Sequence, residues 1–201
     1  SDICGGIVQC IGSTFANNIT GVHFGSYHNY TTGGAMIPNI SYFRYCTFLQ
    51  DNDYKGDKLG IPASAQADLY DNEGIAFRAC RFLNRDTASF SAKKGIGIHG
   101  VSSGFAVSGL MTGLGTINNS RFCGYTNAID ISQVYSWMPT IGINHADFDT
   151  CGVGVFVNNY NDVSTTNCNF GIGHGLPVHD APTVDISSCP ENIGIYQANC
   201  Q

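Results

Sequence analysis

Charge is scarce in this chain: Asp, Glu, Lys and Arg make up 12% of its 201 residues, 15 acidic against 9 basic, for a net charge of −6. That balance offers neither the basic groove a nucleic-acid backbone requires nor the basic stripe that holds an anionic membrane. Long apolar runs are missing as well. No stretch approaches the roughly 18 apolar residues of a spanning helix, so membrane insertion by this segment is not expected. The opening Ser1-Asp2-Ile3 has none of the basic and apolar regions of a signal peptide. No amphipathic window carries a clean helical stripe, and no Pro/Ser-rich linker divides the chain. A single elongated domain over 1–201 is the simplest expectation.

What is present is a repeat. A small residue, a variable residue and a phenylalanine recur six times, as Ser13-Thr14-Phe15, Cys46-Thr47-Phe48, Cys80-Arg81-Phe82, Ser120-Arg121-Phe122, Ala146-Asp147-Phe148 and Cys168-Asn169-Phe170. The steps between phenylalanines are 33, 34, 40, 26 and 22 residues. Such uneven spacing argues against a helical solenoid of fixed period and for a coil whose turns carry loops of different length. Apolar alternation precedes each signature and breaks once, as in Ile75-x-Phe77-x-x-Cys80-x-Phe82 and Ile141-x-Ile143-x-x-Ala146-x-Phe148. Alternation means strand, and the break predicts a bend between two short strands. A second apolar pair follows five of the six signatures: Val22/Phe24, Ile96/Ile98, Ile129/Ile131, Val153/Val155 and Leu176/Val178. Each rung thus holds about three strands, with 25 glycines and 18 asparagines supplying the turns.

Stacked in register, such rungs place every inward residue about 4.8 Å from its equivalent. Phenylalanines then form one ladder and the small residues another. This grammar resembles the right-handed parallel β-helix proteins of the pectate-lyase-like superfamily. Among them it looks most like the exported surface β-helix repeat proteins of Bacteroidota-type bacteria. The resemblance implies an all-β, right-handed parallel β-helix of about six to seven rungs, in a secreted or cell-surface protein. It does not imply one activity, because that superfamily hosts lyases, hydrolases, adhesins and passive stalks.

Ile195 to Gln201 reads as the opening of a further rung, cut one residue before its phenylalanine; Val184-x-Ile186-x-x-Cys189 offers an alternative seventh rung with Glu191 in that place. Neither terminus offers an amphipathic helix to cover an open rung. The chain is therefore expected to be part of a longer protein, truncated at its C-terminal end, with the rest of that protein among its partners. Of nine cysteines, Cys46, Cys80, Cys168 and Cys200 fall in the small inward slot and are expected to be free core thiols. Cys4, Cys10, Cys123 and Cys151 are the better bridge candidates. No Cys-x-x-Cys pair suggests zinc.

Candidate chemistry is sparse. Gly173-His174-Gly175 is similar to the Gly-His-Gly step of polygalacturonases, making His174 the one catalytic candidate, although the accompanying aspartates do not line up and Asn127 to Asp130 is only a faint echo. A solvated histidine in a glycine turn is the plainer reading. The other histidines, His23, His28, His99, His145 and His179, show no metal-ligand spacing. Asp51, Asp53 and Asp57, in what reads as a long turn region between Phe48 and Ile75, supply carboxylates suited to calcium, against the plainer reading of a solvated loop. In calcium-dependent lyases of the resembled fold a Lys or Arg abstracts a proton; Lys55, Lys58, Arg78, Arg81, Lys93 and Lys94 are all available and none is singled out. Aromatic residues outside the ladder, Tyr27, Tyr30, Tyr42, Tyr45, Tyr54, Tyr70, Tyr125, Tyr160 and, foremost, Tyr135 and Trp137, fall mostly at turns or outward positions where rings beside Asn and Asp make platforms for sugars, against the plainer reading that they cover hydrophobic neighbours beneath loops. The leading expectation is an adhesive or glycan-contacting stalk or scaffold. A polysaccharide-degrading lyase or glycoside hydrolase and a passive spacer are the alternatives.

Overall fold

The computed structural model describes residues 6–54, 64–85, 95–136, 139–160, 162–171 and 193–198. Eighteen short strands wind through six rungs of three, and among the described residues there is no helix. The first rung holds β1 (Gln9–Ile11), β2 (Thr14–Ala16) and β3 (Val22–Phe24). After a small hairpin of β4 (Asn29–Tyr30) and β5 (Met36–Ile37), the second holds β6 (Tyr42–Arg44), β7 (Thr47–Gln50) and β8 (Ala65–Tyr70). The third contains β9 (Glu73–Arg78), β10 (Arg81–Asn84) and β11 (Ile96–Val101). The fourth begins with β12 (Gly104–Ser108), is interrupted by the hairpin β13 (Leu110–Met111) and β14 (Ile117–Asn118), and resumes with β15 (Ser120–Cys123) and β16 (Asn127–Ser132). The fifth comprises β17 (Ile141–Asn144), β18 (Ala146–Asp149) and β19 (Val153–Asn158). The sixth comprises β20 (Val163–Thr166), β21 (Asn169–Gly171) and β22 (Ile193–Ala198). Equivalent strands pair in parallel into three six-stranded sheets, which defines a parallel β-helix-type solenoid.

The phenylalanine ladder stands as the repeat requires. Phe15, Phe48, Phe82, Phe122, Phe148 and Phe170 lie in register on the second sheet. Successive rings stack at 4.8, 4.5, 4.7, 5.1 and 4.8 Å between centroids. A second column from the first sheet, Phe43, Phe77, Val107 and Ile143, faces it and is buried. Edge-on contacts such as Phe77 to Phe82 at 5.6 Å join the two columns. The small slot beside the ladder is more than a spacer. The Cys80 thiol donates to Phe43 O at 3.4 Å, the Cys46 thiol to Cys10 O at 3.5 Å, and Ser120 Oγ to Ser108 O at 2.8 Å. Cys and Ser share the slot because each is small and satisfies a buried carbonyl.

One left-handed residue makes the bend that interrupts the alternation. Gly12, Tyr45, Ala79, His145 and Asn167 precede the small slot with φ of +65°, +52°, +51°, +54° and +51°. The turn keeps its ladder: Tyr45 N–H donates to Arg78 O, Ala79 N–H to Ser108 O and His145 N–H to Thr166 O. A non-glycine residue in this region costs roughly 1–2 kcal/mol, offset here by the unbroken rung-to-rung bonding.

The third sheet corrects the sequence reading in two places. The long turn expected between Phe48 and Ile75 contains β8, whose Ala67 and Leu69 point inward. The register pairs Ile98 with Ile129 and Gly100 with Ile131, so the Ile96/Ile98 pair sits two residues out of step with Ile129/Ile131. Glycine fits in that column because a Cβ on Gly100 would lie 2.8 Å from Phe105 Cε1; the Phe105 ring fills the space. The segment beginning at Ile195, expected to open another rung, instead belongs to β22, which pairs with β19 and gives the sixth rung its third strand. Leu176, Val178 and the alternative rung at Val184 to Cys189 lie outside the described residues.

The described cysteines, Cys10, Cys46, Cys80, Cys123, Cys151 and Cys168, are all free. Cys10, Cys123 and Cys151 thus depart from the bridging expected of them. The Cys123 thiol instead faces Thr150 Oγ1 at 3.1 Å and the Cys151 thiol donates to Asp149 O. Burial raises the Cys46, Cys123 and Cys168 thiols and pushes Cys80 up to about 12. Such groups are packing elements rather than nucleophiles.

Candidate functional site on the outer face of the third sheet

Each strand of the third sheet places one outward residue between two inward ones. Read across the rungs, these are His23, Asp68, His99, Asp130, Phe156 and Tyr196, paired in register. Asp68 binds both neighbours: His23 Nδ1 lies 2.9 Å from Oδ2, and His99 Nδ1 lies 2.9 Å from Oδ1. An ionised carboxylate only accepts, so both Nδ1 atoms carry the hydrogen and both Nε2 atoms keep a lone pair when the rings are neutral. The three side chains are 59%, 27% and 34% exposed, so the imidazoles are held but reachable. Asp130, beyond His99, accepts from Asn127 Nδ2 at 2.7 Å. Phe156 and Tyr196 continue the line as a stacked pair at 5.3 Å.

A second group borders this column. Tyr70, two residues beyond Asp68 on the same face, hydrogen-bonds Tyr135 through the two hydroxyls, with the rings edge to face at 6.0 Å. Ser102 positions Tyr135 by accepting from the N–H groups of Val134 and Tyr135 through Oγ, at 2.9 and 3.0 Å. The hydrogen bond to Tyr70 raises the Tyr135 phenol above its ordinary range. At the corner after β8, Asp71 Oδ2 takes Ser26 Oγ and His28 Nε2, the latter at 2.7 Å. The Asp71 carbonyl accepts from Tyr27 N–H at 3.0 Å. These bonds pin segment 26–30 beside the column, with the His28 and Tyr30 rings parallel at 6.4 Å.

Of the aromatic residues singled out from sequence, Tyr70 and Tyr135 stand on this face; Trp137, His174 and Asp57 lie outside the described residues. Asp51 serves its own turn. Its Oδ1 accepts from Asn17 Nδ2 at 2.8 Å and from Asp53 N–H at 2.9 Å, so the carboxylate caps the backbone after β7. Among the described residues no group of three or more His, Cys, Asp or Glu side chains is placed to hold a metal ion. Tyr125, Tyr160 and Tyr54, grouped with the outward aromatics, are buried instead, and Tyr160 donates from its hydroxyl to Pro139 O.

The histidines look dispersed in sequence because residues that meet across rungs stand far apart along the chain. The signal lay in the triplets Val22-His23-Phe24, Ala67-Asp68-Leu69, Ile98-His99-Gly100 and Ile129-Asp130-Ile131, whose middle residues alternate imidazole and carboxylate once the rungs are stacked. No family model, no curated protein and no solved structure matches the chain.

Proposed function

We propose that this chain is a rigid scaffold of a secreted or surface-displayed protein and contacts glycans through the outer face of its third sheet. The observation that carries the reading is the His23–Asp68–His99–Asp130 column with the Tyr70–Tyr135 pair beside it. Fixed donors and acceptors at one rung spacing, next to exposed rings, suit the hydroxyls and C–H faces of a sugar chain lying across the rungs. Few contacts on an open face give small net affinity per site, on the order of millimolar to tens of micromolar, which a repeated display multiplies. A glycan array should therefore show weak binding by the immobilised protein that falls in His99→Ala and in Tyr70→Ala at unchanged melting temperature. Binding that survives both substitutions counts against this face, and no binding to any glycan leaves the passive-spacer reading.

A second reading, a polysaccharide-degrading enzyme, rests on the two imidazoles that Asp68 orients through Nδ1, the arrangement in which Nε2 serves as general base. Release of new reducing or unsaturated ends from acidic polysaccharides, abolished by His99→Ala, would establish it in place of the scaffold. Calcium at the Asp51 turn has weaker support, because Oδ1 already takes two donors.

A further inference from the structure

The meeting of Tyr70 with Tyr135 takes an unusual path of the chain. Tyr70 closes β8 on the second rung, and its register partners on the third and fourth rungs are Val101 and Ser132. Tyr135 lies three residues beyond Ser132. It belongs to the corner after the fourth rung, yet its hydroxyl bonds that of Tyr70, 65 residues away along the chain. The segment after β16 therefore turns back across one whole rung to bring the two rings together.

That return is held by specific bonds. Ser102, buried on the rung between, donates its N–H to Ser132 O at 2.8 Å and accepts through Oγ from the N–H groups of Val134 and Tyr135. Gln133 ties the other side, with its N–H to Asn158 O at 3.3 Å and its Nε2 to Tyr135 O at 2.7 Å. Burial gains little from the arrangement. Tyr70 and Tyr135 stay 37% and 41% exposed and Val134 is 68% exposed, so apolar packing does not repay the ordering of this turn. What the turn achieves is a pair of phenols held edge to face at 6.0 Å between centroids, hydroxyl against hydroxyl and open to solvent. Other tyrosines have different neighbours: Tyr30 lies parallel to His28, Tyr42 lies under the Arg44 guanidinium, and Tyr196 stacks on Phe156.

We infer that Tyr70 and Tyr135 are a site of oxidative cross-linking, joined through their ortho carbons as a dityrosine that staples the second rung to the corner after the fourth. The co-reactant is hydrogen peroxide acting through a haem peroxidase. Each hydroxyl gives one electron to the peroxidase and one proton to water, leaving two phenoxyl radicals with unpaired density at the ortho carbons. Those carbons form a bond, and each ring then moves the hydrogen of its joined carbon to its own oxygen, restoring two phenols. The peroxide takes up the two electrons and two protons and leaves as two waters. Touching hydroxyls bring the neighbouring ortho carbons close, which makes the coupling an intramolecular step between rings already in place. The staple uses two residues of the sugar-contacting face but does not rest on that reading, and no glycan enters its test.

The test treats the intact chain, in dilute solution, with a haem peroxidase and limiting hydrogen peroxide. Biphenol fluorescence, the position of the chain on a denaturing gel and a peptide map by tandem mass spectrometry are the readouts. The expected product is a fluorescent monomer, lighter by two hydrogen atoms, with the peptides holding Tyr70 and Tyr135 joined. It should unfold at a higher temperature than the untreated chain, because the link restricts the unfolded state. Tyr70→Phe and Tyr135→Phe should each lose the monomer fluorescence, and Tyr45→Phe should keep it. Should either of the first two fail to fold, the joined peptides of the parent decide the matter alone. Fluorescent monomer from both of those variants, a map that joins other tyrosines, cross-links only between molecules, or no coupling under conditions that couple free tyrosine would each overturn the assignment.

Discussion

Truncating the phenylalanine ladder at its centre and at its end should have unequal consequences, and the difference tests whether neighbouring rungs, rather than local strand preference, hold this fold together. Phe82 is fully buried, lies parallel to Phe48 and Phe122 at 4.5 and 4.7 Å, and meets the edge of Phe77 at 5.6 Å. Removing the ring opens a cavity walled by two other rungs whose own strands fix their spacing, so collapse is limited; Phe82→Ala should cost about 3–5 kcal/mol. Phe122, stacked at 4.7 and 5.1 Å and equally buried, belongs to the same class. Phe170 is different. Among the described residues it has a single stacking partner, Phe148 at 4.8 Å, and it is 37% exposed, so Phe170→Ala should cost about 1–2 kcal/mol. Urea unfolding followed by far-UV circular dichroism gives each value, with the slope against denaturant checking that the transition keeps its cooperativity. Equal losses at Phe82 and Phe170, or losses below about 1 kcal/mol at Phe82 and Phe122, would refute the stacked ladder as the main source of stability.

Other expectations follow from groups the packing leaves exposed to question. Gln66 is buried with neither Nε2 nor Oε1 hydrogen-bonded, so Gln66→Leu should raise stability by about 1–3 kcal/mol in the same urea assay, and a loss would show that the amide has a partner. Tyr125 is fully buried with an unpaired hydroxyl, and Tyr125→Phe should be neutral or stabilising by up to about 1 kcal/mol; clear destabilisation would contradict the unpaired state. The Cys80 thiol, held up to about 12 by burial against an ordinary 9.0, keeps its proton after the unfolded chain has lost its own. Stability should therefore be unaffected by this group below about pH 9 and fall as pH rises from there toward 12, by up to ~1.4 kcal/mol per unit. Unfolding at a series of alkaline pH values should show a shallower decline in Cys80→Ala, and identical slopes would refute the assignment.

The inward half of this structure was legible because stacking constrains it twice. Each core residue packs against the copy above and the copy below, so Phe82 has to resemble Phe48 and Phe122, and the repetition surfaces in the sequence as a signature. Where the constraint relaxes, the reading slipped. Gly100 broke the apolar pattern of the third sheet because Phe105, from another sheet, occupies its space, and no periodicity along one strand reports a substitution made from across the core. Strand β8 went unseen because its inward residues Ala65 and Ala67 are small, leaving Leu69 as its one large apolar side chain facing the core. Tyr125 and Tyr160 are buried against expectation because a polar neighbourhood in sequence says little about which side of a corner the ring turns to.

Outward positions obey a weaker rule, and that makes their exceptions informative. A residue on the outer face of a sheet has only to avoid an unfavourable neighbour one rung away, and alternation of sign is the simplest way to do so. The column His23, Asp68, His99, Asp130 satisfies this rule, with bonds on both sides of Asp68. The column containing Arg81 and Arg121 satisfies it on one side, where Asp147 stands in register with Arg121 and Asp149 lies 3.1 Å from Arg121 Nη2. The remedy for neighbouring arginines is thus supplied from the next rung, the same device by which Asp68 joins His23 to His99 on the third sheet.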